Sequence, residues 1–521
     1  MELPAYKMEE ELAKFEEEER NRLGLAPHRK KQWQDKINRE FYADQRPHTT
    51  ILVSGLTLAH DSFVQAGLTG LGYQVEALEG PDNESLQFGK EFGNRGQCNP
   101  TYFTVGNLVK HLVKLREKGL SSQEVVDKYL FLTAGACGPC RFGMYVTEYR
   151  KALRDAGFDG FRVMLFDANG GMKQATGREI GLKIDRPFFL TLAKAILGGD
   201  ALNAIMYRIR PYEVVPGSTD KAIAECREIV RDALREGRSI FRALYHCRKV
   251  LQKVEVDRTL VRPKVTIIGE FWAMTTEGEG NYRLQRFLEQ EGAEVDIQLI
   301  TNWILYNLWQ AKIDTRRRMT LRAADLEARK GLKTTQIAKR FLILKAAELA
   351  LKGTFYTFAR LLGLRPYHLP DMEENAALAS EHYNTELRGG EGHMEVGKLI
   401  QTVIHNKAHM VISVKPFGCM PSSGVSDGVQ TIITEKLPQA IFLPIETSGD
   451  GAVNVYSRIQ MMLFKAKRVA EKEYEELLSK KGLTVEQVRE KIRADRKLRK
   501  ATHYSPHVVA GTAANFLLEA A

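Results

Sequence analysis

Four of the six cysteines in this chain lie in loops rich in glycine and proline. Cys98 sits in RGQCNPTY, Cys137 and Cys140 in AGACGPCRFG, and Cys419 in KPFGCMPSS. Loops of this kind can bring sulfurs together from distant parts of a chain, and thiolates are the ligands of iron–sulfur clusters. The other two, Cys226 and Cys247, lie inside strongly helical patterns and read as packing residues. Soft sulfur ligands select zinc or iron–sulfur over hard cations. Structural zinc sites usually pair two CxxC-type knuckles close in sequence. One CxxC with two distant single cysteines favours a 4Fe-4S cluster between domains, with Cys98, Cys137, Cys140 and Cys419 as metal ligands. A thioredoxin-like redox pair and unligated thiols at tight turns are the plainer alternatives.

The loop composition fits that chemistry. Gly135, Gly138, Gly143 and Gly418 let the backbone come close and turn N–H groups toward sulfide, while Pro139, Pro416 and Pro421 stiffen the loops. Arg141 and Lys415 are candidates to offset the charge of a thiolate-bound cubane, with ordinary surface charge as the alternative. Glu270, Thr275, Ser422 and Ser423 could line a cleft or serve as caps and turn residues.

The elements that must position these loops read as α/β. Apolar strands are expected at Thr50–Ser54, Tyr73–Ala77, Tyr129–Thr133 and Phe161–Phe166, then at Val265–Gly269, Glu294–Leu299, Met410–Val414 and Ala440–Pro444, separated by helical patterns. Two flavodoxin-like (Rossmann-like) α/β domains follow, 47–261 and 262–473. The second has a helical insertion at 303–406 broken at Arg388–His393. A charged helical arm, 1–46, precedes them and a charged helical tail, 474–521, follows. The strand YLFLT ends in the CGPC loop and MVISV ends in KPFGC, a local echo that puts both loops beyond the carboxyl ends of strands, where open α/β sheets bind ligands.

Composition excludes several classes. The 44% hydrophobic and 27% charged residues are those of a globular protein with a sizeable core. The net charge of +11 is dispersed and no nucleic-acid recognition motif accompanies it, so an acidic partner or a phosphorylated ligand fits as well. The start, MELPAYKMEEELAKFEEEER, has no secretory pattern, and the longest apolar-looking stretch, Phe341–Leu364, is interrupted by Lys345, Glu348, Lys352 and Arg360. A cytoplasmic protein without membrane spans is expected. Gly278-Glu279-Gly280 and Gly449-Asp450-Gly451 are weak glycine pairs, and no Walker motif or actin-like phosphate loop is present.

CNPTYFTVGNLV, GACGPCRFGMY, GEFWAMTTEGEGNY and VKPFGCMPSSGVSDGV resemble segments of the acyl-CoA dehydratase activase-related proteins, relatives of 2-hydroxyacyl-CoA dehydratase subunits. The resemblance spans about 50–470. It implies flavodoxin-like domains around a 4Fe-4S cluster, served by an actin-like ATPase activase that delivers low-potential electrons, with a second dehydratase-like subunit and an acyl-CoA as further partners. Catalytic subunits of that class hold their cluster through three cysteines and leave one iron open to a substrate that reacts through a ketyl radical. Four cysteines would close every iron, which favours an electron-transfer or reductase component. A catalytic subunit with one cysteine displaced, and a scaffold with a structural metal, remain the alternatives.

Overall fold

Parallel strands buried on both faces must be apolar for most of their length, and the central runs KVTIIG and MVISV are of this kind. In the computed structural model, which describes residues 5–24, 40–135, 140–166, 180–318, 334–387 and 390–521, every strand expected from the sequence is present. They are β1 (Thr50–Val53), β2 (Gln74–Ala77), β3 (Tyr129–Ala134) and β4 (Arg162–Phe166), then β5 (Lys264–Gly269), β6 (Glu294–Ile297), β7 (Met410–Pro416) and β8 (Phe442–Thr447). The first four pair in parallel in the order β2-β1-β3-β4 and the second four as β6-β5-β7-β8. Both orders are the flavodoxin-like arrangement, in which the chain reverses direction across the sheet beside the first strand and leaves a crevice at the carboxyl ends of the first and third strands. The chain is therefore two Rossmann-like α/β domains with helical extensions.

The chain divides into two units: one contains the helix α1 (Ala5–Arg22), and the other, Arg39–Ala521, holds both sheets. Phe41 is fully buried in that unit, and Tyr42 bridges to Ile180. The first sheet carries α2 (Leu58–Gly70), α3 (Asn83–Phe92), α4 (Asn99–Glu117), α5 (Ser122–Lys128) and α6 (Tyr145–Asp155). Three helices follow, α7 (Arg186–Ile209), α8 (Ser218–Arg235) and α9 (Ile240–Leu251). The continuous helical pattern of 218–253 forms two helices, α8 and α9, parted where Gly237 takes φ +64°. Cys226 and Cys247 are fully buried, one on each, with each sulfur 3.6 Å from the other's carbonyl oxygen.

α10 (Phe271–Thr275) and α11 (Leu284–Gln290) join β5 to β6. The helical insertion comprises α12 (Ile300–Arg318), α13 (Thr334–Leu362), α14 (Met372–Ser380) and α15 (Gly392–Ile404). α16 (Met420–Gly424) and α17 (Gln430–Lys436) precede β8; α18 (Ala452–Lys481), α19 (Val485–Ala494) and α20 (Thr512–Ala520) close the chain. The apolar segment Arg186–Tyr212, and not the one at 341–364, is the described helix long and apolar enough to cross a membrane; 61% of its apolar window is buried, as in a core helix.

The two domains share an apolar core that includes Ile51, Phe103, Trp272 and Val414. Polar contacts reinforce the join. The Asp200 carboxylate on α7 accepts the N–H groups of Ile300 (3.0 Å) and Thr301 (2.7 Å) at the start of α12. Glu277 and Glu279 accept the N–H groups of Leu58 and Asn83 at 2.8 and 2.7 Å. Both domains are therefore held in one orientation, with their strand ends facing a common seam.

Candidate metal centre

β3 and β7 hold the same place in their two sheets, and each runs directly into a cysteine loop. Cys140 precedes the single 3-10 turn Arg141–Met144 that leads into α6, Cys419 is the N-cap of α16, and Cys98 is the N-cap of α4. Three cysteines thus stand where free N–H groups and the positive end of a turn or helix dipole favour a thiolate. Cys137, the other expected ligand, lies outside the described residues.

The Cys98 and Cys419 loops touch. The Asn99 N–H donates to the Phe417 carbonyl at 2.9 Å. Gly418 takes φ +76°, and a Cβ there would stand 3.2 Å from the Cys98 Cα and 3.0 Å from the Gln97 carbonyl oxygen. Glycine is required on both counts, conformation and clearance. From the third loop, Arg141 Nε donates to the Gly418 carbonyl at 3.2 Å, tying the Cys140 turn to the Cys419 loop. Arg141 therefore stands at the junction of the loops. Lys415 instead reaches Asp427 (2.5 Å) and Glu446 (3.1 Å) along the end of β7, where two carboxylates already balance its ammonium group.

Burial governs the thiols. Cys98 and Cys419 are 6% and 7% exposed, and burial raises both above the ordinary thiol value. Cys140 is pushed up to about 12, by burial first and then by Glu391, Glu270 and Cys98. A buried thiol with no cation to hold its charge stays protonated at neutral pH; a metal would supply the positive charge that releases the proton. The Cys98 sulfur lies 3.0 Å from Thr101 Oγ1 and 3.2 Å from Tyr145 Oη.

Three carboxyl groups face the same seam. Glu270, at the end of β5, caps α10 by accepting the Ala273 N–H at 2.8 Å. Glu391 accepts the Phe271 N–H at 2.7 Å, and Glu395 on α15 accepts the Ser422 hydroxyl at 3.0 Å. Burial raises all three, Glu391 to about 8 with Glu270 adding to it, and Glu395 well above the carboxylate range with Glu391 and Glu270 adding to it. Glu270 and Ser422 were sequence candidates; Ser423 and Thr275 bond to carbonyls of their own helical turns, Cys419 and Phe271. Glu391, Glu395, Thr101 and Tyr145 were not singled out. The signal for Glu391 was the Gly-rich break that contains it; the other three sit in ordinary helical sequence.

Cluster ligands bind different irons, so their sulfurs surround a volume and do not converge on a point. Among the described residues no three Cys, His, Asp or Glu side chains form a set for a single metal ion. Two buried polar atoms beside the thiols lack protein partners, the Asn99 amide nitrogen and Glu395 Oε2. Asn99 follows Cys98 directly, and a donor of that kind suits the sulfide or thiolate of a cluster. The donor set of Cys98, Cys140 and Cys419 fits a thiolate-held cluster in kind.

Two cavities lie elsewhere. One of about 460 Å³ opens at the edge strand β2, lined by Gln65, Tyr73, Gln74, Arg231 and Arg235. Both arginines there are paired, with Glu228 and Asp232. A second, of about 50 Å³, lies between Thr57, His60, Asp200 and Tyr367. Thr57 Oγ1 bonds to His60 Nδ1 at 2.6 Å, and His60 Nε2 bonds to the Ile196 carbonyl at 3.1 Å with the Asp200 carboxylate 3.3 Å away. Comparison with protein-family models and with curated proteins found no match to this chain.

Proposed function

We propose that the chain is a cytoplasmic 4Fe-4S protein of the 2-hydroxyacyl-CoA dehydratase-like class, an electron-transfer or reductase component that receives low-potential electrons from an ATP-dependent activase. The observation that supports this reading is the junction of Cys98, Cys140 and Cys419, drawn from two domains to the seam beyond the carboxyl ends of their sheets and joined through Asn99–Phe417 and Arg141–Gly418. When bound, a cluster of this type supplies one-electron chemistry. Cys98, Cys140 and Cys419 would hold it, with Cys137 completing the set. Asn99 and Arg141 would orient the loops. Glu391 and Glu395, which burial holds protonated at neutral pH, would bring no negative charge against it and would hold protons within the seam, and Glu270, raised by burial, lies beside them.

Those same carboxyl groups favour a second reading, a catalytic dehydratase subunit. A departing hydroxyl needs a proton, and Glu391, raised to about 8, can hold one at neutral pH. Iron and acid-labile sulfide on anaerobically prepared protein, with electron paramagnetic resonance after reduction, test the first reading. About four of each per chain are expected for a cubane held by four thiolates. Protein without iron, or with zinc, would overturn it, and a spectrum that changes on adding an acyl-CoA would select the second.

A further inference from the structure

The three described thiols differ in what reaches their sulfur. Cys140 has the Phe142 N–H. Cys419 has the N–H and hydroxyl of Ser422, and that single hydroxyl proton is also directed at Glu395 Oε1, 3.0 Å away. Cys98 has two hydroxyls, Thr101 Oγ1 at 3.0 Å and Tyr145 Oη at 3.2 Å. Thr101 lies in the first turn of α4, which Cys98 caps, and Tyr145 opens α6 on the far side. Thr101 and Tyr145 are 1% and 7% exposed, so both contacts lie out of water.

A thiolate bound to metal carries no proton and can only accept, so Tyr145 Oη then donates to it, while Thr101 Oγ1, which also reaches Tyr145 Oη, supports the sulfur directly or through that hydroxyl. A hydrogen bond to sulfur withdraws electron density and strengthens as the acceptor becomes more negative. It therefore stabilises a reduced cluster more than an oxidised one and raises the reduction potential. The effect is larger in a dry, low-dielectric site. From this geometry we infer that Thr101 and Tyr145 are positioning residues that set the potential of the group held by Cys98, making Cys98 the least electron-donating of the three described ligands. The inference rests on the iron–sulfur reading above.

The test is anaerobic reconstitution of the full chain, followed by redox titration monitored by electron paramagnetic resonance. Tyr145→Phe removes one oxygen and Thr101→Val replaces a hydroxyl by a methyl. Each variant should keep its iron and sulfide, and each should be harder to reduce. The expected change is about tenfold in the ratio of reduced to oxidised protein at a fixed potential, or about 59 mV for one electron. Tyr149→Phe alters a buried tyrosine one turn along α6 that packs on Phe131, and should leave the potential unchanged. Wild-type potentials in both fully loaded variants would overturn the inference while leaving the iron–sulfur reading intact. A wild-type chain that takes up no iron would overturn both. The two substitutions are read separately, so poor folding of one leaves the other to decide.

Discussion

Glu294 and Glu391 are the same side chain, both buried in the second domain, and their surroundings push them in opposite directions. Glu294 begins β6, at the amino end of the sheet. Burial would raise it, but the Lys264 ammonium at 3.7 Å and the hydroxyls of Thr512, Tyr504 (2.6 Å) and Tyr212 (2.8 Å) more than offset that, and it stays ionised. Glu391 stands at the opposite end. It has two backbone N–H groups, those of Phe271 and its own, and a second carboxyl, Glu270, beside it, and among the described residues no cation pairs with it. A fully satisfied buried charge serves the fold, here by pinning the C-terminal segment that carries Tyr504 and Thr512. An unsatisfied cluster of titratable groups in a seam is the mark of a site prepared for something else.

The hardest way to break that contrast is to delete a ligand. Cys419→Ala should lose all or most of the iron and sulfide of wild-type protein, or convert the cluster, while the far-ultraviolet circular dichroism stays the same. Full iron content in that variant would remove Cys419 from the site. At the other end, Glu294→Ala leaves Lys264 and three hydroxyls buried without their acceptor. A cost of about 3–5 kcal/mol, measured by denaturant unfolding, is expected, with iron uptake per folded chain unchanged.

The comparison sharpens with pH. Glu294 titrates below its ordinary 4.5 in the folded chain, so its contribution is present above about pH 4.5 and lost as pH falls through the folded value. Glu391 is raised from 4.5 to about 8, so its contribution is full below about pH 4.5 and lost as pH rises toward 8. In metal-free protein, thermal melts from pH 3 to 9 should show Glu294→Gln flattening the acid limb and Glu391→Gln flattening the neutral one. If the two variants flatten the same limb, the contrast between the two ends fails. The smallest effect is expected from Arg141→Ala, which removes the bond to the Gly418 carbonyl. About 1 kcal/mol of stability should be lost, and iron should be released faster to a chelator than from wild type.

The strands were legible because a buried parallel strand has to be apolar for most of its length, as in MVISV and YLFLT. α3 and α5 went unread, being short helices whose strongest signals are their N-caps, Asp82 and Ser121. The cysteine candidates were legible because cysteine in a Gly/Pro loop has few structural uses. The carboxyl groups were not: Glu270, Glu391 and Glu395 are spread over the second domain, and glutamate in a helix or a loop is ordinarily a solvated residue.

The sequence by itself determined the alternation of strand and helix, the echo that puts a cysteine loop after the third strand of each sheet, and the residue types able to hold a soft metal. These follow from local rules of periodicity, turn chemistry and ligand softness. Only the tertiary structure decided that the Cys98 and Cys419 loops share a backbone hydrogen bond across some 320 residues, that Lys415 faces carboxylates while Arg141 faces the cysteine loops, and that Thr101 and Tyr145 flank one sulfur. Each of these depends on how two sheets dock, and docking is fixed by the summed shape of the shared core, which no short segment of sequence contains.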